Sequence, residues 1–113
     1  MTGAGEQRGV TILDWKPVVR NTLCGFATVR IQRIGLVVAD VAVHQKNQSR
    51  WASLPSKPIH RNGAILRDEA TGKIRYQPIL QWADRKTADR FSIAVVEELL
   101  ARHPDAFNGD DPP

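Results

Sequence analysis

The sequence predicts an α+β domain in which an antiparallel β-sheet of about four to five strands carries one main C-terminal helix packed on one face. Three observations lead to this prediction. Apolar and polar residues alternate in the first half of the chain, apolar residues at helical spacing follow near its end, and no internal repeat interrupts that order. Several strands followed by one helix are typical of a helix layered on an antiparallel sheet.

The first two strands are predicted from short runs of apolar residues. Residues 10–15 form a mixed run, and Pro17, which lacks a backbone N–H, is expected to end its hydrogen-bond ladder. Residues 25–32 alternate strictly, with Ala27, Val29 and Ile31 on one side. This pattern is typical of a half-buried strand.

A third strand is predicted over residues 36–44, with Val37, Ala39, Val41 and Val43 on one face. The opposite face would be a mixture of apolar, acidic and imidazole side chains, namely Leu36, Val38, Asp40, Ala42 and His44. A strand with two largely apolar faces is covered on both sides, and a second subunit could provide that cover.

The middle of the chain predicts a turn, a short strand and a long basic segment. Residues 46–49 are a polar turn, and residues 50–54 form a short strand. Residues 56–75 lose apolar periodicity and contain the turn signals Asn62-Gly63 and Thr71-Gly72, so they predict a long basic loop or a mobile hairpin. Residues 76–82 predict one further strand, which Pro78 confines to a sheet edge.

The helix is predicted to start after Asp84, a favourable N-cap residue, and to stop at His103-Pro104. Its apolar stripe consists of Ala88, Phe91, Val95 and Leu99. The chain therefore divides into a disordered extension over residues 1–9, a single domain over 10–103 and a loose tail over 104–113.

Composition excludes several classes of protein. The 113 residues are 42% hydrophobic and 25% charged, with no apolar run long enough to cross a membrane and no apolar signal core near the N-terminus. The lone cysteine, Cys24, excludes a disulfide framework and a Cys-rich zinc site, and we expect it to be a small buried residue. These features predict a protein of the reducing cytoplasm.

Charge is distributed unevenly along the chain. Residues 15–67 contain nine Lys or Arg residues and one acid, Asp40, whereas residues 84–113 contain seven acids and four bases. A basic front half with an acidic tail is suited to a polyanion that meets one face of the protein.

Catalysis and metal binding are not predicted. His44, His60 and His103 are scattered over different elements, without the spacing of metal ligands. The acidic pairs Asp68-Glu69 and Glu97-Glu98 consist of sequence neighbours, which point apart on a strand or a helix. We therefore expect no cofactor, no metal ion and no enzymatic activity.

Aromatic residues that stand beside Lys or Arg favour nucleic-acid binding, because nucleobases stack on aromatic faces while Lys and Arg hold phosphates. Arg50-Trp51 and Arg75-Tyr76 are such pairs, and Trp51 and Tyr76 are the candidates for stacking. The alternative for Trp15, Trp51 and Trp82 is that each anchors the core. Candidate phosphate contacts around the exposed basic segment are Arg50, Lys57, Arg61 and Arg67.

The segment WASLPSK, residues 51–57, resembles the F-V-A-M-P-S-K segment of the bacterial stage V sporulation protein G (SpoVG) family. Residues 10–14 stand where that family has its opening strand, and residues 36–44 are similar to its V-V-H-D-I-R-V strand. Residues 76–79 and the helix over 85–99 resemble its D-I-A-H-P-I stretch and terminal helix. The resemblance covers about residues 10–100, with a longer loop over 58–75 and an extra N-terminal extension as departures.

This resemblance implies a small α+β homodimer that binds DNA or RNA and acts as a regulator. It adds Arg85 and Lys86, at the start of the last helix, to the contact candidates Lys57 and Arg61. Six phosphate contacts on a duplex, from Arg50, Lys57, Arg61, Arg67, Arg85 and Lys86, would give a log–log salt slope of about −5.

Two alternatives remain open. The first is a protein-interaction or dimerisation module that uses the mixed face of residues 36–44 and the acidic tail. The second is a single-stranded-DNA-binding module similar to the eukaryotic transcriptional positive cofactor, which shares the order of strands followed by a helix. It would prefer single strands and show strong tryptophan quenching.

Overall fold

A computed structural model of the chain describes residues 9–107. Its centre is a four-stranded antiparallel sheet in the order β1-β2-β3-β4, with the helix α1 on one face, so the predicted α+β fold is confirmed. These elements are β1 (Val10–Arg20), β2 (Leu23–Ile31), β3 (Leu36–Lys46), β4 (Ser49–Ser53) and α1 (Arg85–Arg102). Four short strands lie between β4 and α1: β5 (Ser56–Pro58), β6 (His60–Arg61), β7 (Ala64–Ile65) and β8 (Tyr76–Pro78).

The core lies between the sheet and α1. The helix contributes Phe91, Val95 and Leu99, and the last two are completely buried. The sheet contributes small and β-branched residues, which are Val10, Ile12, Ala27, Val29, Val38, Val41, Val43 and Ala52. The backbone N–H of Ala52, on the edge strand β4, donates to Ser92 Oγ at 2.8 Å, which satisfies an edge donor and ties α1 to the sheet.

The predicted faces of β3 are correct after Asp40 and wrong before it, because the strand contains a β-bulge. Val29 of β2 pairs with Val38 and Ala27 pairs with Val41, so β3 advances three residues where β2 advances two. Asp40, within this bulge, has a φ of 58°. The extra residue reverses the alternation, so Val38 joins Val41 in the core while Val37 is 53% exposed.

Pro17 does not end β1, contrary to the prediction. The strand runs on to Arg20, and Pro17 pairs with Gly25 of β2. This is possible because β1 is an edge strand of the sheet, where a missing N–H leaves no ladder bond unmade. Gly25 has a packing role there, since a Cβ atom at this position would lie 2.5 Å from the Lys16 carbonyl oxygen and 2.7 Å from the Trp15 ring.

Both ends of α1 are as predicted. Asp84 is the N-cap, and its Oδ1 accepts from the Thr87 N–H at 2.7 Å. The helix ends at Arg102, and His103 caps it by donating its N–H to the Leu99 carbonyl at 2.7 Å.

The chain just after α1 belongs to the core, although residues 104–113 were predicted to be a loose tail. Phe107 is 2% exposed, and the Arg50 guanidinium carbon lies 4.6 Å from the centre of its ring. Gln45 Nε2 donates to the Phe107 carbonyl oxygen at 3.4 Å. The rest of that tail, 108–113, and residues 1–8 of the predicted N-terminal extension lie outside the described residues. Within residues 9–107, no helix is both long and apolar enough to span a membrane.

Candidate nucleic-acid interface

The basic segment, predicted as a long loop or a mobile hairpin, lies in a hydrogen-bonded arm, which we define as residues 55–79. At its base β5 pairs with β8, from Ser56 opposite Pro78 to Pro58 opposite Tyr76. The ladder continues through the Ile59 N–H, which donates to the Arg75 carbonyl at 2.9 Å. Beyond this point the arm divides into two hairpins. The strands β6 and β7 form the first, and the pairing of Arg67 with Ile74 closes the second.

Turn chemistry shapes both hairpins. Asn62 and Gly63 have φ values of 54° and 80°, the left-handed conformation that a two-residue hairpin turn requires. In the second hairpin, Asp68 Oδ1 accepts from the backbone N–H groups of Ala70 and Thr71 at 2.8 and 3.0 Å. These bonds hold the pKa of the exposed Asp68 carboxyl below its usual range, Thr71 being the largest cause.

The arm differs from the sheet in having no buried residue. It contains two acids, Asp68 and Glu69, against five bases, Lys57, Arg61, Lys73, Arg67 and Arg75. A backbone that is held mainly by its own hydrogen bonds can therefore present a net positive surface.

Three arginines of the arm meet around one cleft of about 390 Å³. They are Arg61 and Arg67, both predicted as phosphate contacts, and Arg75, which was noted only as the neighbour of Tyr76. We call these three residues the arginine cluster. Arg67 is oriented by a hydrogen bond from its Nη1 to the Gly72 carbonyl at 3.0 Å. Its hairpin carries Asp68 and Glu69 at the rim of the cleft, which limits the positive charge on that side.

A second cleft, of about 540 Å³, lies between the arm and the sheet face that α1 leaves open. We call it the sheet cleft. Phe26 and Ala42, paired neighbours on β2 and β3, line it together with Tyr76 and Ile79 from the end of the arm. Polar side chains from several elements also line it, namely Lys16, Asp40, His44, Ser53 and Ser56.

His44 connects the sheet cleft to Trp51. The two rings stack with their centres 5.3 Å apart and their planes 10° from parallel. The His44 Nδ1 lies 2.9 Å from the Thr22 hydroxyl oxygen. Burial lowers the pKa of His44 below its ordinary value, which favours the neutral imidazole.

The remaining predicted contact residues do not form one site with the arginine cluster. Arg50 and Trp51 are consecutive on β4 and point to opposite faces, so Arg50 packs on Phe107 beside α1 while Trp51 stacks on His44. Arg85 forms an exposed ion pair with Asp89 at 3.5 Å and lines a separate groove beside Trp82. Lys57 on β5 and Lys86 on α1 are exposed.

Trp15 and Trp82 are half-buried and pack against the core, as the core alternative predicted for tryptophans. The Trp82 ring lies 5.2 Å from that of Phe91. Cys24 is buried, as predicted.

In the described part of the chain, no three His, Cys, Asp or Glu side chains are grouped so that they could hold a metal ion. Comparison with models of protein families found no match, and comparisons with curated proteins and with solved structures also found none.

Proposed function

We propose that this chain is a nucleic-acid-binding regulatory protein without catalytic activity, as its resemblance to the SpoVG family implies. The observation that carries the proposal is the arginine cluster on the arm. Guanidinium groups are suited to phosphate because their planar N–H donors can form paired, charge-assisted hydrogen bonds. Three of them around one open cleft can hold adjacent phosphates of a nucleic-acid backbone.

Charge along the chain supports the same conclusion. The basic excess lies in residues 15–67, and the acidic excess lies in residues 84–113, which include α1. A polyanion would therefore be attracted to the arm, whereas α1 itself is close to neutral, with four bases and three acids. Because contacts to phosphate carry no sequence information, the expected binding is weakly sequence-specific.

The proposal is tested by fluorescence anisotropy of labelled oligonucleotides, titrated with protein from about 50 to 200 mM salt. Wild-type protein is expected to bind with an affinity that falls steeply as salt rises. Arg61→Ala, Arg67→Ala and Arg75→Ala should each weaken binding and make the salt slope shallower by about one. Arg33→Ala is the matched control, because Arg33 is exposed in the turn between β2 and β3 and lines neither cleft.

Absence of binding at the lowest salt would overturn the proposal. Binding that is unchanged by all three substitutions in the arginine cluster would show that the arm is not the contact surface.

Exposed apolar residues favour a second candidate, a dimerisation surface. Ile34 and Val37 lie at the turn into β3 and are 65% and 53% exposed. We propose that two copies of the chain cover this patch in a homodimer, which would also place two arginine clusters on one particle. Sedimentation analysis should show a dimer for the wild type and a monomer for Ile34→Lys; a monomeric wild type would contradict it.

A further inference from the structure

We infer that the sheet cleft receives one unpaired nucleobase, which makes single-stranded DNA or RNA the preferred ligand. This inference rests on the proposed function and specifies its ligand. It is carried by three features: the apolar and aromatic lining of the cleft, its mixed polar groups, and its position beside the arginine cluster.

The lining of the sheet cleft can accept a flat aromatic ligand. Phe26 lies on the open face of β2 and is only half-buried, although it is a large apolar residue. Tyr76, on the arm side of the cleft, is 56% exposed, and Ile79 near it is 58% exposed. Exposed aromatic side chains on a sheet provide stacking surfaces for bases, and every base has a face that can stack on them.

The polar groups of the cleft match the edge of an unpaired base. Lys16 offers ammonium donors, Asp40 offers carboxylate acceptors, and His44 offers a ring nitrogen. Bases carry carbonyl, amino and ring-nitrogen groups on their Watson–Crick edges, and a lining of mixed donors and acceptors can bind them. In a duplex the Watson–Crick edge of each base is occupied by its paired base, so it cannot contact the cleft.

The volume and surroundings of the cleft fit this ligand as well. A cleft of about 540 Å³ lies within the range of small-molecule sites, about 300–1,000 Å³. Arg75 lines the cleft of the arginine cluster, and the next residue, Tyr76, lines the sheet cleft. Successive side chains of an extended strand point to opposite sides. A single strand crossing the arm at this point could therefore place a phosphate on Arg75 and the attached base on Tyr76.

Charge favours a nucleic acid over the other possible occupants. A second copy of the chain has the same net charge of +4, so it would meet Lys16 and the five bases of the arm with charge of the same sign. An apolar peptide would leave Lys16 and Asp40 without polar partners inside the contact. A strand with one negative charge per nucleotide neutralises the surrounding Lys and Arg side chains and leaves the nucleobase for the apolar lining.

The test compares labelled thymidine and uridine oligomers of about 12 nucleotides with a duplex of equal length, at one fixed salt concentration. Single strands are expected to bind more tightly than the duplex. Tyr76→Ala should weaken single-strand binding between about fivefold and 100-fold, the effect of losing one stacked base, and should leave duplex binding unchanged. Phe26→Ala is the second variant and should act in the same direction.

Ile93→Ala is the matched control, because Ile93 is 59% exposed on α1, away from the cleft. It should bind both ligands as the wild type does, and melting curves should show that every variant is folded at the assay temperature. Tighter binding of either single strand than of the duplex supports the inference. The single strand that binds more tightly, thymidine or uridine, shows whether DNA or RNA is preferred.

Three results would overturn the inference, and they separate it from the proposed function. Equal binding of single strand and duplex by wild type, lost only in Arg61→Ala and Arg67→Ala, would keep the proposed function and exclude the base site. Dissociation of a dimer by Tyr76→Ala, without any effect on oligonucleotide binding, would assign the cleft to a second copy. No binding of any oligonucleotide would overturn both.

Discussion

The sheet–helix core and the arm are held together by different interactions. The core places Val29, Val41, Val43, Val95 and Leu99 completely out of solvent, whereas the arm has no buried residue. The arm is shaped instead by backbone ladders and by turn residues at positive φ, such as Asn62 and Gly63. Side-chain packing therefore fixes one region, and backbone hydrogen bonding fixes the other.

This difference shows why ligand-binding residues can accumulate in the arm. A side chain that contributes little to the stability of the fold can be replaced by one that binds a ligand. A region without buried apolar contacts also opens more easily than the core, because local opening costs less free energy than global unfolding. We therefore expect the same kind of substitution to lower the free energy of unfolding more in the core than in the arm.

Leucine truncation should show the largest difference. Leu99→Ala removes a completely buried side chain from α1 and should lower the free energy of unfolding by about 2–5 kcal/mol. Leu66→Ala removes a half-buried side chain from the arm and should cost less than about 1 kcal/mol. Urea unfolding measures both values, and equal costs would show that the arm and the core unfold as one unit.

Glycine substitution should show the next largest difference. The Cβ atom of Gly25→Ala would lie 2.5 Å from a backbone oxygen of β1, which cannot move without breaking the sheet, so the cost should reach roughly 3 kcal/mol. Gly72 in the arm has nothing within 4 Å, so Gly72→Ala suffers only from its φ of 74°. That strain should cost at most about 1 kcal/mol, because the turn can open locally. Urea unfolding of both variants tests this difference, and a Gly25→Ala protein as stable as the wild type would contradict the packing argument.

The two aspartates that accept backbone hydrogen bonds form a third matched pair. Asp84 caps α1 and Asp68 closes an arm turn, and these bonds lower the pKa of both carboxyls below the ordinary value of 3.8. Asp84→Ala should lower the melting temperature by a few degrees, because the helix it caps packs on the core. Asp68→Ala should leave the melting temperature of the core unchanged.

Acid distinguishes the two aspartates further. A carboxyl with a lowered native pKa stabilises the fold above its unfolded pKa, and this contribution disappears as pH falls through the native pKa. The difference in melting temperature between wild type and Asp84→Ala should therefore vanish in strong acid. A difference that persists there would mean that Asp84 acts through something other than its charge.

The sequence predicts the elements of this fold better than their faces. The α1 boundaries follow from local chemistry, because Asp84 and His103-Pro104 act on the nearest turn. The faces of β3 depend on a bulge, and a bulge is fixed by pairing with β2, which a single strand does not reveal. Phe107 was missed for a similar reason, since a polar tail shows no periodicity and its burial depends on distant residues such as Arg50.

The candidate site shows the same division. Its charged residues are visible in the sequence, but their grouping is not. Arg50 and Trp51 are adjacent in the chain and are separated by the faces of β4. Arg61 and Arg75 are distant in the chain and are brought together by the arm. Turn signals such as Asn62-Gly63 indicated a hairpin, but the pairing of β5 with β8, which brings Arg75 back beside that hairpin, has no local signal in the sequence.

The smallest expected difference between the core and the arm concerns the dependence of stability on pH, and it is tested at His44 and His60. Burial lowers the pKa of His44 below 6.5, so the unfolded chain binds this proton more readily than the native protein does. The stability that the neutral imidazole contributes is complete above pH 6.5 and is lost as pH falls toward the native pKa. Wild-type protein should therefore unfold at lower urea concentration at about pH 5.5 than at about pH 7.5.

His44→Gln should flatten this dependence, whereas His60→Gln, an exposed substitution in the arm, should retain it. The contrast follows because protonating His44 places a charge in the stack with Trp51 and beside the Thr22 hydroxyl, within the cooperatively folded sheet. His60 is exposed, on a region whose opening does not break the core. If His60→Gln flattens the curve as much as His44→Gln does, the arm shares the cooperative unit of the core, and its separation from the core is wrong.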